Sequence, residues 1–113
     1  MAAAISLGDP EARAEREATV QRALAALATP DLGASLELAE EAKKMEKGTL
    51  YRQIEALASA LADAARETVN DGSTRADVAA RRHAVALSAL QSLDGNASAQ
   101  LTVEAMLIRM RSV

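Results

Sequence analysis

The side chains that could carry out catalysis or hold a metal ion are few and widely separated in this sequence. His83 is the only histidine, and its neighbours one helical turn away, such as Ala79 and Leu87, can neither share a metal nor orient an imidazole. Every serine would need His83 as its base, and no G-x-S-x-G turn is present. The absence of cysteine excludes a thiolate site. These residue types predict neither a nucleophilic enzyme nor a metal centre.

Paired carboxylates offer no better case for acid–base chemistry. Glu11 with Glu15 and Glu37 with Glu41 are spaced four residues apart, but lysines and arginines are interleaved with them, which is typical of a solvated helix face. No apolar surroundings are expected to raise their pKa. The five glycines are scattered, so no loop is suited to cradle a phosphate. The sequence therefore predicts a protein that is not an enzyme and binds no cofactor or small molecule.

The segment from Thr74 to Arg82 is the one candidate for DNA recognition. It is similar to the first helix of a helix-turn-helix, in which a glycine-containing turn should follow. The next residues, His83 to Leu87, instead continue a helical pattern. A net charge of −3 also provides no positive field to attract phosphates. A DNA-binding regulator that uses Arg75, Arg81 and Arg82 is thus an alternative, and a continuous amphipathic helix is the preferred interpretation.

The spacing of apolar residues predicts an all-α fold, a compact bundle of about five helices. The chain has 113 residues, one Tyr, no Trp and no Phe, which indicates a single domain with an aliphatic core. The predicted helices run from Pro10 to about Ala28, from Asp31 to Lys44, from Leu50 to Val69, from Arg75 to Leu93, and from Asn96 to Arg111. Short connections between them favour antiparallel neighbours.

Polar residues, glycines and prolines mark the predicted helix ends. Capping side chains are expected at the start of each helix, and breaks are expected where glycine or asparagine interrupts the apolar pattern. The predicted caps are Asp9, Thr29, Thr49, Thr74, and Ser98 or Asn96, and the predicted breaks are 47–49, 70–72 and 94–96.

The last predicted helix has large apolar groups on two opposite faces. One face carries Leu101, Ala105 and Ile108. The other carries four residues, namely Val103, Met106, Leu107 and Met110. A helix that packs only on its own domain needs one apolar stripe, so a second stripe predicts contact with another protein. We predict Val103, Met106, Leu107 and Met110 as the subunit interface, although periodicity alone does not decide which face enters the core.

The sequence contains no secretory signal and no apolar run long enough for a membrane span. Together with the lack of cysteine, this predicts a cytoplasmic protein that does not enter a membrane. The plain, small-residue start MAAAISLG also fits a start codon placed on a fragment of a larger protein.

Two stretches carry a resemblance to a known family. The run LELAEEAKKMEKGTLYRQIEALASALADAARE, and the ending NASAQLTVEAMLIRM after a helix with Arg81 and Arg82, resemble the C-terminal collar domain of bacterial DNA polymerase III clamp-loader subunits. The delta-prime subunit is the most similar, and gamma/tau is less so. Its chain closes with an asparagine-containing turn and a Leu-x-x-Glu-x-Leu-Leu-x-x-Leu helix. The matching positions are Leu101, Glu104, Met106, Leu107 and Met110.

This resemblance implies that residues 1–113 form a single helical collar domain, a fragment of a longer subunit of the AAA+ type. In the family, collars of several subunits pack in a ring while ATPase-like domains open the sliding clamp and load it on primed DNA. The implied partners are the delta and gamma/tau subunits, and DNA would be met only indirectly. Besides the DNA-binding regulator, a free-standing helical adaptor is the other alternative.

Overall fold

The computed structural model describes residues 10–68 and 75–113, and these residues contain five helices and no strand. They are α1 (Pro10–Ala28), α2 (Gly33–Lys43), α3 (Lys47–Thr68), α4 (Arg75–Asp94) and α5 (Ala99–Arg111). The predicted all-α bundle is therefore confirmed. Four predicted features lie outside the described residues, namely the caps Asp9 and Thr74, the end of the third helix at Val69 and the break 70–72.

Helix α3 has the most regular apolar stripe. Leu50, Ile54, Leu57 and Leu61 recur at helical spacing, and all four are buried. The polar residues on the opposite side of the helix are exposed, namely Arg52, Glu55, Ser59, Asp63 and Arg66. One side of α3 is apolar and buried, and the other is polar and exposed. The spacing of its apolar residues alone is therefore enough to predict which side enters the core.

The helices pack around one aliphatic core. The most extensive contact is between α3 and α4, while α5 packs mainly against α2 and α4, and α1 lies on α3. A side-chain contact adds to the α3–α4 packing, since Nδ1 of His83 lies 2.9 Å from the carbonyl oxygen of Ala58. The three most deeply buried large side chains, Leu93, Leu107 and Met110, come from α4 and α5. The last helix is thus an integral part of the core.

The structure moves three predicted helix starts, and one of these is the start of α5, which lies at Ala99 and not at Asn96. Thr29 and Pro30 do not open α2, which begins at Gly33. The Thr29 hydroxyl lies within hydrogen-bond distance of the backbone oxygens of Ala26 and Asp31. The Asp31 carboxylate accepts a hydrogen bond from Gly33 N at 3.2 Å. Together these bonds form a turn. The break predicted at 47–49 is also wrong, since α3 already includes Lys47 and Gly48.

The turn between α4 and α5 confirms the predicted stop at 94–96. Asn96 adopts a left-handed backbone with φ of 65°. Ala97 N donates to Ser92 O at 3.0 Å and Asn96 N donates to Leu93 O at 3.0 Å, which together form a Schellman motif. Ser98 then caps α5, because its Oγ accepts from Leu101 N at 3.3 Å.

Candidate partner-binding surface

The two apolar faces of α5 have different environments. Val103, Met106, Leu107 and Met110 are all buried, and Met110 has no exposed surface. Across the helix, Leu101 is 64% exposed and Ile108 is 43% exposed, with Ala105 exposed between them. The helix therefore has one face in the core and one apolar face on the surface.

This arrangement reverses the predicted roles of the two faces. Val103, Met106, Leu107 and Met110 were predicted as a subunit interface, but they pack inside their own bundle and are not accessible to another chain in this structure. The physical reason is size. That side carries two methionines, a leucine and a valine, so its burial removes more apolar surface from water than burial of the side with Ala105 would.

We call Leu101, Ala105 and Ile108 the outer face of α5. Two further leucines are exposed, Leu32 just before α2 and Leu36 within it, each 44% exposed. A single exposed leucine is unremarkable, but several on neighbouring helices are typical of a contact surface.

Hydrogen bonds at both ends of α5 establish its direction relative to α2. The Arg111 guanidinium donates to Ala26 O at 3.0 Å and to Pro30 O at 2.8 Å, so the C-terminal end of α5 lies beside the α1–α2 connection. At the other end, Lys47 Nζ donates to Asn96 Oδ1 at 2.9 Å, close to where α3 begins. Helices α2 and α5 are therefore antiparallel, and Leu32 and Leu36 belong to the same end of the molecule as Ile108.

The arginines considered for DNA binding make contacts within the protein. Arg81 forms an ion pair with Asp77 at 3.3 Å, and Arg82 Nε donates to Met110 O at 3.1 Å. Helix α4 also runs without interruption through His83, so no helix-turn-helix turn follows Arg82. Arg82 thus joins α4 to α5, Arg81 forms an exposed ion pair within α4, and the motif lacks its turn.

His83 has a structural partner in the carbonyl oxygen of Ala58. Within the described ranges, no group of three or more His, Asp or Glu side chains is placed to hold a metal ion. Of the paired carboxylates, Glu41 is bound to Arg22 of α1. This leaves the outer face of α5 as the strongest candidate for a functional surface.

The Arg22–Glu41 ion pair is the clearest electrostatic feature. Arg22 Nη1 donates to Glu41 Oε1 at 2.8 Å, and Nη2 contacts Oε2, so the contact is bidentate. The hydrogen bond from Arg22 holds the pKa of Glu41 below its ordinary value, and the same bond raises the pKa of Arg22. The pair joins α1 to α2 at the surface.

Sequence patterns did not reveal the long-range roles of Arg111, Lys47 and Asn96. Arg111 was predicted only as the last residue of the final helix, yet it reaches backbone oxygens 81 and 85 residues earlier in the chain. Periodicity reports the face of one helix and carries no information on which distant carbonyl lies opposite. The only available sign was the basic last turn of α5.

No family model, curated protein or solved structure matches this chain. Among the helices over residues 10–68 and 75–113, none combines the length and the apolar character that crossing a membrane requires.

Proposed function

We propose that this chain is a collar domain of a bacterial clamp-loader subunit, most like delta-prime, that holds subunits together through contacts between helical bundles. The observation that carries the proposal is the outer face of α5, an apolar surface on a helix whose opposite side is buried in the core. The resemblance of 36–67 and 96–110 to the collar family supports the same role.

On this proposal the chain acts as an assembly domain in the cytoplasm and has no catalytic role. Its partners are the collars of the delta and gamma/tau subunits, and ATPase-like domains precede it in the parent subunit. Leu101 and Ile108 supply the apolar contact, and Leu32 and Leu36 add exposed apolar groups at the end of the molecule where Ile108 lies. Burial of such a surface by a neighbouring bundle would remove it from water, which favours association.

The experiment measures molecular mass in solution for this chain mixed with purified delta and gamma/tau subunits. We expect a mixed species for the unchanged chain and its loss in Ile108→Asp, because an aspartate would be desolvated in the contact without a partner. Leu87→Asp is the matched control. Leu87 is as exposed as Ile108 but belongs to α4.

Both variants should keep the helical circular dichroism spectrum of the parent chain. Retention of the mixed species by Ile108→Asp would contradict the assignment of the surface, and absence of a mixed species for the unchanged chain would contradict the collar proposal. A salt-dependent affinity for duplex DNA would favour the regulator instead. An upstream reading frame that lacks a nucleotide-binding domain would favour the free-standing adaptor.

A further inference from the structure

A groove of about 50 Å³ lies between α4 and α5, on the side of α5 that adjoins the outer face. The buried residues Val85 and Met106 form its apolar floor. The polar side chains that line it are those of Ser88 and Ser92 from α4, and of Thr102 and Arg109 from α5. None of the described residues that line the groove is acidic. The groove therefore combines one positive charge with three hydroxyl groups and contains no negative charge.

These four polar side chains have no hydrogen-bond or ion-pair partner in the described part of the chain. By contrast, the guanidinium groups of Arg82 and Arg111 are bound to backbone oxygens of the bundle. Thr102 is only 8% exposed, yet its hydroxyl oxygen keeps accessible surface. A polar group that loses hydration without gaining a partner costs free energy, so a ligand that bonds to it is favoured.

Helix geometry brings these groups to the same stretch of the groove. Ser88 and Ser92 are one turn apart, about 6 Å along the axis of α4. Thr102 and Arg109 are seven residues apart and lie on one side of α5. Because helical side chains lean toward the N-terminal end of their helix, the long side chain of Arg109 extends toward Thr102.

The charge and the number of donors indicate the class of ligand. A carboxylate has two oxygen atoms, which a guanidinium binds without help from hydroxyl groups. A phosphate group has further oxygens, which can accept from hydroxyl groups at the same time. A water-sized group needs about 10–15 Å³ of such volume, so the groove admits about four of them, enough for the oxygens of one phosphate group.

We propose that the α4–α5 groove binds a phosphate group, either as inorganic phosphate or as the phosphate of a small monoester. Arg109 donates to two of the phosphate oxygens. The other oxygens accept from the hydroxyl groups of Ser88, Ser92 and Thr102. The net charge of −3 gives no long-range attraction, so binding depends on these short contacts. This site is independent of the proposed assembly role.

The test titrates the full chain with inorganic phosphate and follows the Nε–H signal of Arg109 and the amide of Thr102 by NMR. We expect saturable shifts with a Kd on the order of millimolar, because the ligand is small and the site is open to solvent. Perchlorate at equal ionic strength is also tetrahedral but accepts hydrogen bonds poorly, and should bind about tenfold more weakly. Comparable affinity for methyl phosphate assigns the site to monoesters, and loss of affinity assigns it to inorganic phosphate.

Two variants with matched controls locate the site. Arg109→Met should abolish saturable binding, whereas Arg52→Met removes the same charge from an exposed position on α3 and should leave binding unchanged. Thr102→Val keeps the side-chain size and should weaken binding about tenfold, because a hydrogen bond to a charged group is lost. Its control is Thr49→Val, at an exposed position on α3.

Stability provides a second readout. Without phosphate, Arg109→Met and the parent chain should have similar urea midpoints, because Arg109 has no partner in the folded protein. Saturating phosphate should raise the midpoint of the parent chain and not that of the variant. Shifts that stay linear with phosphate, equal affinity for perchlorate, or undiminished binding by Thr102→Val would overturn the proposal.

Discussion

Asn96 and Ser98 show how single residues connect α4 to α5. The amide of Asn96 accepts from Lys47 while its own backbone adopts the left-handed conformation that ends α4. Asparagine tolerates this conformation better than most residues with a side chain. Gly95 was predicted as part of the same stop, yet the residue with positive φ is Asn96. One asparagine thus both ends a helix and contacts α3.

The Arg22–Glu41 pair gives a pH dependence with a definite sign. The pKa of Glu41 is lowered in the folded state, so the pair contributes stability above the ordinary pKa of about 4.3 and loses it as pH falls through the lower folded value. We expect a coupling energy of about 0.2–1 kcal/mol at neutral pH, because both side chains are partly exposed.

The measurement is a double-mutant cycle with Arg22→Met and Glu41→Gln, followed by urea unfolding at several pH values. The Arg81–Asp77 pair within α4 is the control and should give a smaller coupling energy, because its contact is a single one between more exposed side chains. A coupling energy for Arg22 and Glu41 that persisted unchanged at pH 2 would contradict the interpretation.

Helix α5 was predictable as an element but not in orientation. Its end at Arg111, its cap at Ser98 and its two apolar faces follow from local spacing and side-chain chemistry, whereas its start lies at Ala99 and not at the predicted Asn96. The choice between the faces depends on the total apolar area that α2 and α4 can cover. This covered area depends on how the helices pack, which the spacing within α5 does not report. For this reason the face predicted as the subunit interface is part of the core.

Two leucines on opposite sides of α5 provide a matched test of this orientation. Leu107 is 1% exposed and Leu101 is 64% exposed. We expect Leu107→Ala to lower the free energy of unfolding by about 2–5 kcal/mol, because it leaves a cavity, and Leu101→Ala to lower it by less than about 0.5 kcal/mol. Urea unfolding monitored by circular dichroism measures both. Similar losses for the two variants would mean that the faces are assigned wrongly.

On the scale of the whole molecule, hydrogen bonds between distant parts of the chain hold the helices together. Arg111 joins the last turn of α5 to the α1–α2 connection, and Arg82 joins α4 to the same end of α5 through Met110 O. Ala26 O and Met110 O lie in the last turns of their helices, where carbonyl groups have no partner within the helix, and Pro30 O lies in the connection between α1 and α2. The C-terminal end of α5 is thereby hydrogen-bonded to α1, to the α1–α2 connection and to α4.

Arg111→Met should therefore destabilise the whole bundle. We expect a loss of about 1–2 kcal/mol, because a charged donor to two backbone oxygens is removed while the aliphatic stem is largely kept. Arg109→Met is the control, since Arg109 is exposed and should change stability by less than about 0.5 kcal/mol. The urea midpoints of the two variants give the comparison, and equal midpoints would contradict a specific role for Arg111.

The sequence by itself determined the helical class, the number of helices, most of their limits and the stripe of α3, because these depend on interactions within a few residues. It also limited the chemistry, since a lone histidine and scattered glycines cannot form the common catalytic or phosphate-binding motifs. Only the tertiary structure decided which face of α5 is buried, where Arg111 and Lys47 reach, and that Arg109 lines a groove with the hydroxyl groups of α4. Each of these depends on which side chains from distant segments meet in space, and periodicity along one helix does not encode that.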